Sequence, residues 1–282
     1  MAFLEARGVT KSFPIPKGTR HVLRDVNLSV EHGEFVCIVG AMGSGKSTLL
    51  SLLAGLTTPD AGTITVGGEQ VTGIRPDGAF VFQNYSLLPW FSALENVRLA
   101  VQAAFPQLSR EQQKQKATQT LELVGLGNAI GRRPKQLSGG MRQRVALARA
   151  LATDPKVLFL DDPFGALDAL TRETLQQELV RISADTARGA TTVMITNNVE
   201  EALLLADWIV PVLAGPPATL GSPIAVELPR PRTVAQLAHD EDATHVRAHV
   251  IATLTAALGR RKPGGAPAPS APVLRTATEE TR

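Results

Sequence analysis

The sequence has a single cysteine, which excludes an intrachain disulfide and any cysteine-rich metal site. That residue, Cys37, lies in the apolar run FVCIV and is expected inside a buried strand. Long hydrophobic runs are missing too: nothing approaches the roughly 18 consecutive apolar residues of a membrane span. The start, MAFLEARGVT, carries Glu5 where a secretory signal would be apolar. A soluble, cytoplasmic protein is expected. Neither sign of charge dominates: Lys and Arg number 29 against 26 Asp and Glu, a net of +3, so charge gives no case for a nucleic-acid ligand. At 282 residues there is room for one large domain with an appendage.

What is present follows a clear order. From residue 3 to 36 apolar and polar positions alternate between Gly and Pro punctuation, predicting strands of a partly antiparallel sheet, the last ending at Gly40. The run STLLSLLAGL predicts a buried helix from Ser47 to Leu56, and TPDAGTITVGG a turn and a further strand. Between about Asn84 and Gly131, SALENVRLAVQAA and SREQQKQKATQTLELVGL read as helices, the second capped by Ser109. Short continuous apolar runs return in KVLFLDD and TTVMITNN, as expected of parallel strands covered by helices on both faces. Beyond Pro211 come Gly/Pro-rich chain, the segment LPRPR, a predicted helix from Val234 to Leu258, and a polar tail too poor in apolar residues to fold.

Gly40-Ala41-Met42-Gly43-Ser44-Gly45-Lys46-Ser47-Thr48 fits the phosphate-binding pattern G-x-x-x-x-G-K-[ST], with an apolar strand before it and a helix after it. The glycines let backbone N–H groups curl around β- and γ-phosphates, and the helix N-terminus adds the positive end of its dipole. Lys46 neutralises phosphate charge and the Ser47 hydroxyl can ligate Mg2+. A second element, Val157-Leu158-Phe159-Leu160-Asp161, delivers a carboxylate to a strand's C-terminal end, where Asp161 is a candidate Mg2+ ligand. ATP and Mg2+ are the expected ligands.

Between these two lies Leu137-Ser138-Gly139-Gly140-Met141-Arg142-Gln143-Arg144. With it the chain resembles the ATP-binding domains of ABC transporters, whose signature has the form LSGGQ or, in some importers, LSGGM. Ser138 opens a helix, and Gly139, Gly140 and Met141 expose N–H groups that would meet a γ-phosphate held by another subunit. The resemblance implies three further roles. Gln83, in VFQNYSLLPW, would sense Mg2+ and contact the permease, Gly165-Ala166-Leu167-Asp168 would communicate between paired domains, and Phe13, in TKSF, would stack on adenine.

The resemblance covers roughly residues 3 to 230 and implies an α/β fold of the P-loop ABC ATPase type. That fold has a mixed, largely parallel core sheet, an antiparallel β subdomain and an inserted helical subdomain. Domains are accordingly expected as an ATP-binding unit over 1–230 with its helical insert at about 84–150, a helical extension over 231–260 and a disordered tail over 261–282. The segments DPFGALDALTR, LLPWFSALENV and GPPATLG with LPRPR look like nitrate, bicarbonate, taurine and sulfonate importers, with the nitrate and bicarbonate side favoured. A transmembrane permease, a second ATP-binding domain and a solute-binding protein are the implied partners. The implied location is peripheral, on the cytoplasmic face of the cell membrane.

Two catalytic positions depart from the family pattern. The Mg2+-binding Asp is usually followed by a Glu that polarises the attacking water, yet here the pair is Asp161-Asp162, one methylene shorter. The switch histidine is replaced by Asn197 in Thr196-Asn197-Asn198, and no histidine lies between His32 and His239. Asparagine donates a hydrogen bond but carries no proton or charge. Slow hydrolysis is therefore expected, from a homodimer or, less favoured, from a heterodimer in which this loop forms the degenerate site. The alternative is a nucleotide-binding or regulatory subunit paired with a competent ATPase. An ABC ATPase acting on DNA or ribosomes would need a long coiled-coil insertion or a second ATP domain. The late helix is expected to pack on the domain, with His239, His245 and His249 solvated.

Overall fold

The computed structural model describes residues 2–165, 167–184, 189–213, 215 and 217–259, so the tail expected over 261–282 lies outside it. Strands β1 (Leu4–Ile15) and β2 (Gly18–Val30) pair antiparallel, and β4 (Ala61–Val66) and β5 (Glu69–Gln70) extend them into a four-stranded sheet of order β2-β1-β4-β5. Their alternation buries Leu4, Ala6, Val26, Leu28, Val30, Ile64 and Val66 on one face.

A six-stranded sheet forms the centre, in the order β10-β9-β3-β8-β7-β6. Strands β3 (Phe35–Val39), β6 (Gly78–Val81), β7 (Val157–Asp161), β8 (Thr191–Thr196) and β9 (Trp208–Pro211) run parallel, and β10 (Ile224–Ala225) is an antiparallel edge. Each parallel strand is apolar on both faces because both are covered. Val36, Ile38, Phe159, Val193 and Ile195 pack with α1 (Lys46–Leu53) and the antiparallel sheet. Cys37, Val39, Leu158, Leu160 and Met194 pack with helices on the opposite side. Helices thus lie on both faces, as expected, with α1 sharing one side with the antiparallel sheet, which has an apolar face of its own to bury. Cys37 is fully buried, as its neighbours implied.

Helix α1 stops at Leu53, three residues short of the predicted Leu56. Gly55 turns the chain at φ +71, and a side chain there would meet the Gly73 carbonyl at 2.1 Å. Helices α2 (Ala93–Ala104) and α3 (Arg110–Leu123) each begin with a capping box, Ser92 with Glu95 and Ser109 with Gln112. They pack with α4 (Gly139–Leu151) through Val97, Val101, Ala117, Leu121 and Val145. Helices α5 (Ala169–Ala184) and α6 (Val199–Leu205) follow β7 and β8.

The single helix expected from Val234 to Leu258 is two helices, α7 (Val234–His239) and α8 (Glu241–Gly259). The break is Asp240, whose backbone is extended and whose Oδ1 accepts the Ala243 N–H at 2.8 Å, starting a new helix. Helix α8 packs on α6 and β9 with Ala243 and Val250 buried, while His239, His245 and His249 are exposed.

Candidate functional site

Because β3, β8, β7 and β6 run parallel, their C-terminal ends share one edge of the sheet, where open α/β sheets place their sites. Val39 lies opposite Thr196, and Asp161 opposite Ile195, so the three loops leaving β3, β7 and β8 begin side by side. The Gly40–Thr48 loop bends through Gly43 at φ +76 and Gly45 at φ +94, conformations open to glycine. Gly40 is close-packed, since a Cβ there would lie 2.9 Å from Val212, whereas Met42 is 87% exposed at the loop tip. Lys46 opens α1 and is buried, with Nζ donating to Gly40 O at 2.8 Å, Ala41 O at 2.9 Å and Asn197 Oδ1 at 2.7 Å.

Three bonded pairs meet at this edge: Lys46 with Asn197, Ser47 Oγ with Asp161 Oδ1 at 3.1 Å, and Gln83 Nε2 with Asp162 Oδ2 at 3.0 Å. Asp162 is held in the left-handed region at φ +44, its N–H donating to Ile195 O at 3.0 Å. Gly165 lies directly beneath its carboxylate, where a Cβ would be 2.2 Å from Oδ2. Burial pushes the carboxyls of Asp161 and Asp162 above the usual range, against the opposing pull of Lys46 on both. Burial likewise lowers Lys46, against the pull of Asp162 and Asp161. The buried charges are therefore mutually dependent. Among the described residues no group of three or more His, Cys, Asp or Glu forms a metal cluster. The oxygens of Ser47, Asp161 and Gln83 suit a hard cation such as Mg2+ that keeps some of its own water. The turn of glycines around a buried ammonium suits a polyphosphate.

Ser138 caps α4, its hydroxyl accepting the Met141 N–H at 3.3 Å. The neighbours of the next two glycines are Tyr85 and Leu167 for Gly139 and Thr171 for Gly140, none of them in the Gly40–Thr48 loop. Ser138 to Met141 are thus outside the bonded set around Lys46, as is Phe13. The Phe13 ring is 38% exposed on β1, with Lys11 Nζ 5.4 Å from its centroid. Asp168 precedes α5 and its Oδ1 accepts the Thr171 N–H, while Ala166 lies outside the described residues.

Two residues of the site escaped the sequence reading. Arg149 of α4 donates to Ser86 O at 2.6 Å and Tyr85 O at 3.0 Å, holding the chain after Gln83 where Tyr85 and Ser86 both have positive φ. Glu201 of α6 is 3% exposed behind Thr196. A helical reading of EALLLA could have found it, because Glu201 shares a face with Leu204 and Leu205. Along the β6 edge, Phe80, Ala100, Ala103, Ala104 and Arg149 border a cleft of about 330 Å³. Trp90 nearby in sequence is 63% exposed.

Residues 23–165 match the ABC transporter family. The nitrate import ATP-binding protein NrtD of Synechococcus elongatus is 49% identical over 249 residues, covering 88% of this chain and 90% of that protein. The bicarbonate transport ATP-binding protein CmpD of Synechocystis is 45% identical over 250 residues, covering 89% of this chain and 88% of the relative. Among solved structures, a dimeric ATP-binding cassette in a post-hydrolysis state bound to ADP and Pi superimposes with a TM-score of 0.71 at 31% identity, covering 80% of this chain and 99% of the other. Sheet order, loop geometry, signature helix and kinship agree, and the chain belongs to the ATP-binding domains of ABC transporters.

Proposed function

We propose that the chain is the Mg2+-ATP-hydrolysing subunit of an importer for a small anion, nitrate or bicarbonate before a sulfonate. The observation that carries the catalytic reading is the convergence of the three bonded pairs, Lys46–Asn197, Ser47–Asp161 and Gln83–Asp162, on one sheet edge. In this reading the N–H groups of Gly40 to Thr48 and the Lys46 ammonium bind the β- and γ-phosphates, and Phe13 lies against the adenine. Ser47, Asp161 and Gln83 hold Mg2+, which when bound neutralises phosphate charge. Asp162 orients and polarises the attacking water, released for it when Gln83 turns away, and Asn197 exchanges its bond to Lys46 for one to the γ-phosphate.

Two such domains pair so that each loop faces the partner's Ser138–Met141 helix terminus, and a homodimer is the simplest assembly. The permease docks on the segment that follows Gln83, which Arg149 holds, with exposed Trp90 and the cleft that Arg149 borders at the β6 edge offering the surface. That places the subunit on the cytoplasmic face of the membrane, with a solute-binding protein serving the opposite face. The names of the relatives, one for nitrate and one for bicarbonate, support the choice of solute.

A second reading, a nucleotide-binding subunit with a degenerate site, is favoured by Asp162 and Asn197. The deciding experiment is Mg2+-ATP hydrolysis by the purified chain at concentrations that favour dimers, with Lys46→Ala as the blank. Turnover absent from the blank is expected. Bound ATP without turnover would instead support the degenerate half-site.

A further inference from the structure

Glu201 is a carboxylate in the protein interior, in the first turn of α6 and four residues on from Asn197, to which the mechanism above assigns nothing. Its Oε2 accepts the Thr196 hydroxyl at 2.5 Å and its Oε1 accepts Gln176 Nε2 at 3.4 Å. Thr196 and Gln176 are themselves buried, at 1% and 7% exposure. With its proton committed to Glu201, the Thr196 oxygen is left to accept, and it takes the Asn198 N–H at 3.0 Å. That bond closes the short turn whose middle residue is Asn197, the residue that reaches Lys46 Nζ at 2.7 Å. On its other side Gln176 belongs to α5, the helix that begins immediately after Asp168. An ionised carboxylate is an acceptor at both oxygens, so one side chain can serve a donor from the end of β8 and one from α5 at once.

We propose that Glu201 is a positioning residue. By orienting the Thr196 hydroxyl it fixes the turn that presents Asn197 to Lys46, and through Gln176 it ties that turn to the helix following the Asp162–Asp168 loop. The inference rests on the proposed function for what Asn197 does, but the placement of Asn197 can be measured without nucleotide. Glu201 does not touch the reacting atoms, and removing it acts only through Asn197.

The test begins with amide hydrogen exchange in the full, nucleotide-free chain. Glu201→Ala and Thr196→Val are each expected to lower protection of the Asn198 N–H about tenfold while Val193–Ile195 in β8 keep theirs. Thr196→Ser, which retains the hydroxyl, is expected to keep the Asn198 protection. Thr196→Val preserves side-chain shape and serves where Glu201→Ala fails to fold. Unchanged protection at Asn198 in the folded variants, or a loss spread evenly along β8, overturns the proposal.

The kinetic arm asks whether the effect passes through Asn197. Glu201→Ala is expected to lower kcat about tenfold with KM for ATP within about twofold, and to have no further effect when Asn197 is already Ala. Additive losses in that double variant overturn the assignment. A parent chain no faster than the Lys46→Ala blank would count against the proposed function, and the exchange experiment would then decide the role of Glu201 by itself.

Discussion

Asp162 carries the carboxylate proposed to polarise water on a side chain one methylene shorter than the family's usual Glu, and its backbone is left-handed at φ +44. Displacing a catalytic group by about 1 Å can cost on the order of a hundredfold in rate, so the unusual φ does not by itself restore reach. Asp162→Glu is expected to raise kcat about tenfold, read by steady-state ATP hydrolysis. If Asp162→Glu combined with Asn197→His is no faster in the assembled transporter, a conformational step limits turnover. Glu201 provides a separate residue-scale test. Burial raises its carboxyl above the usual glutamate range, against its bonds from Thr196 and Gln176. A group whose folded pKa is raised contributes stability that is full below its unfolded pKa and is lost as pH rises through the folded value. Glu201→Gln carries no such loss. Its Tm is therefore expected to gain on the parent's as pH rises from below the glutamate range to neutrality, and a gap that stays constant across that window would contradict the burial argument.

At the scale of elements, the N-terminus of α4 is set by how closely it meets α5. A Cβ on Gly140 would lie 1.9 Å from Thr171 Cγ2, whereas one on Gly139 would sit 3.5 Å from Tyr85 Oη and 3.8 Å from Leu167, ordinary contact distances. Gly140→Ala is expected to cost about 1–3 kcal/mol from overpacking, and Gly139→Ala much less. Thermal unfolding of the two variants separates them, and equal shifts would show that the α4–α5 approach does not govern the position, since helix propensity alone would make both substitutions stabilising. The same helix carries Arg149, whose bonds to Tyr85 and Ser86 anchor the chain after Gln83, so signature helix, Gln83 segment and α5 form one connected unit.

In the whole molecule, α6 is braced from both ends by the chain that follows it. Arg232, 5% exposed, donates to Leu203 O at 3.0 Å and Ala206 O at 2.6 Å at the helix C-terminus, and also to Val226 O and Leu228 O. Arg230 donates to Leu205 O as well. At the other end Arg247 of α8 meets both carboxylate oxygens of Glu200, at 2.6 and 3.0 Å. The LPRPR segment and α8 thus hold the helix that follows Asn197. Burial lowers the Arg232 guanidinium to about 10, yet it stays charged at neutral pH and serves four carbonyls. Arg232→Ala is expected to cost about 3 kcal/mol, lowering Tm by roughly 6–12 °C. Arg232→Lys, a point donor without the planar fork, is expected to recover little of it. Full recovery by Lys would mean that charge, not geometry, secures the segment.

The sequence by itself determined what contiguous residues decide. A strand, a glycine loop and a helix follow one another from Phe35 to Leu53, so the loop was legible, and the order of the Lys46, Leu137–Gln143 and Asp161 segments carried the family and its α/β class. The capping serine Ser109 announced α3 for the same local reason, and Ser92 caps α2 in the same way in the structure. Tertiary structure alone decided which loops become neighbours. Asn197 is 151 residues from Lys46 and Gln83 is 79 from Asp162, and they meet because the strand order β3-β8-β7-β6 sets the C-terminal ends of these parallel strands side by side. The fold also laid the antiparallel sheet beside α1 on one face of the core sheet and turned Glu201 inward to two donors. At Asp240 a capping carboxylate outcompetes helix continuation, and the helices on either side of the break both pack on α6.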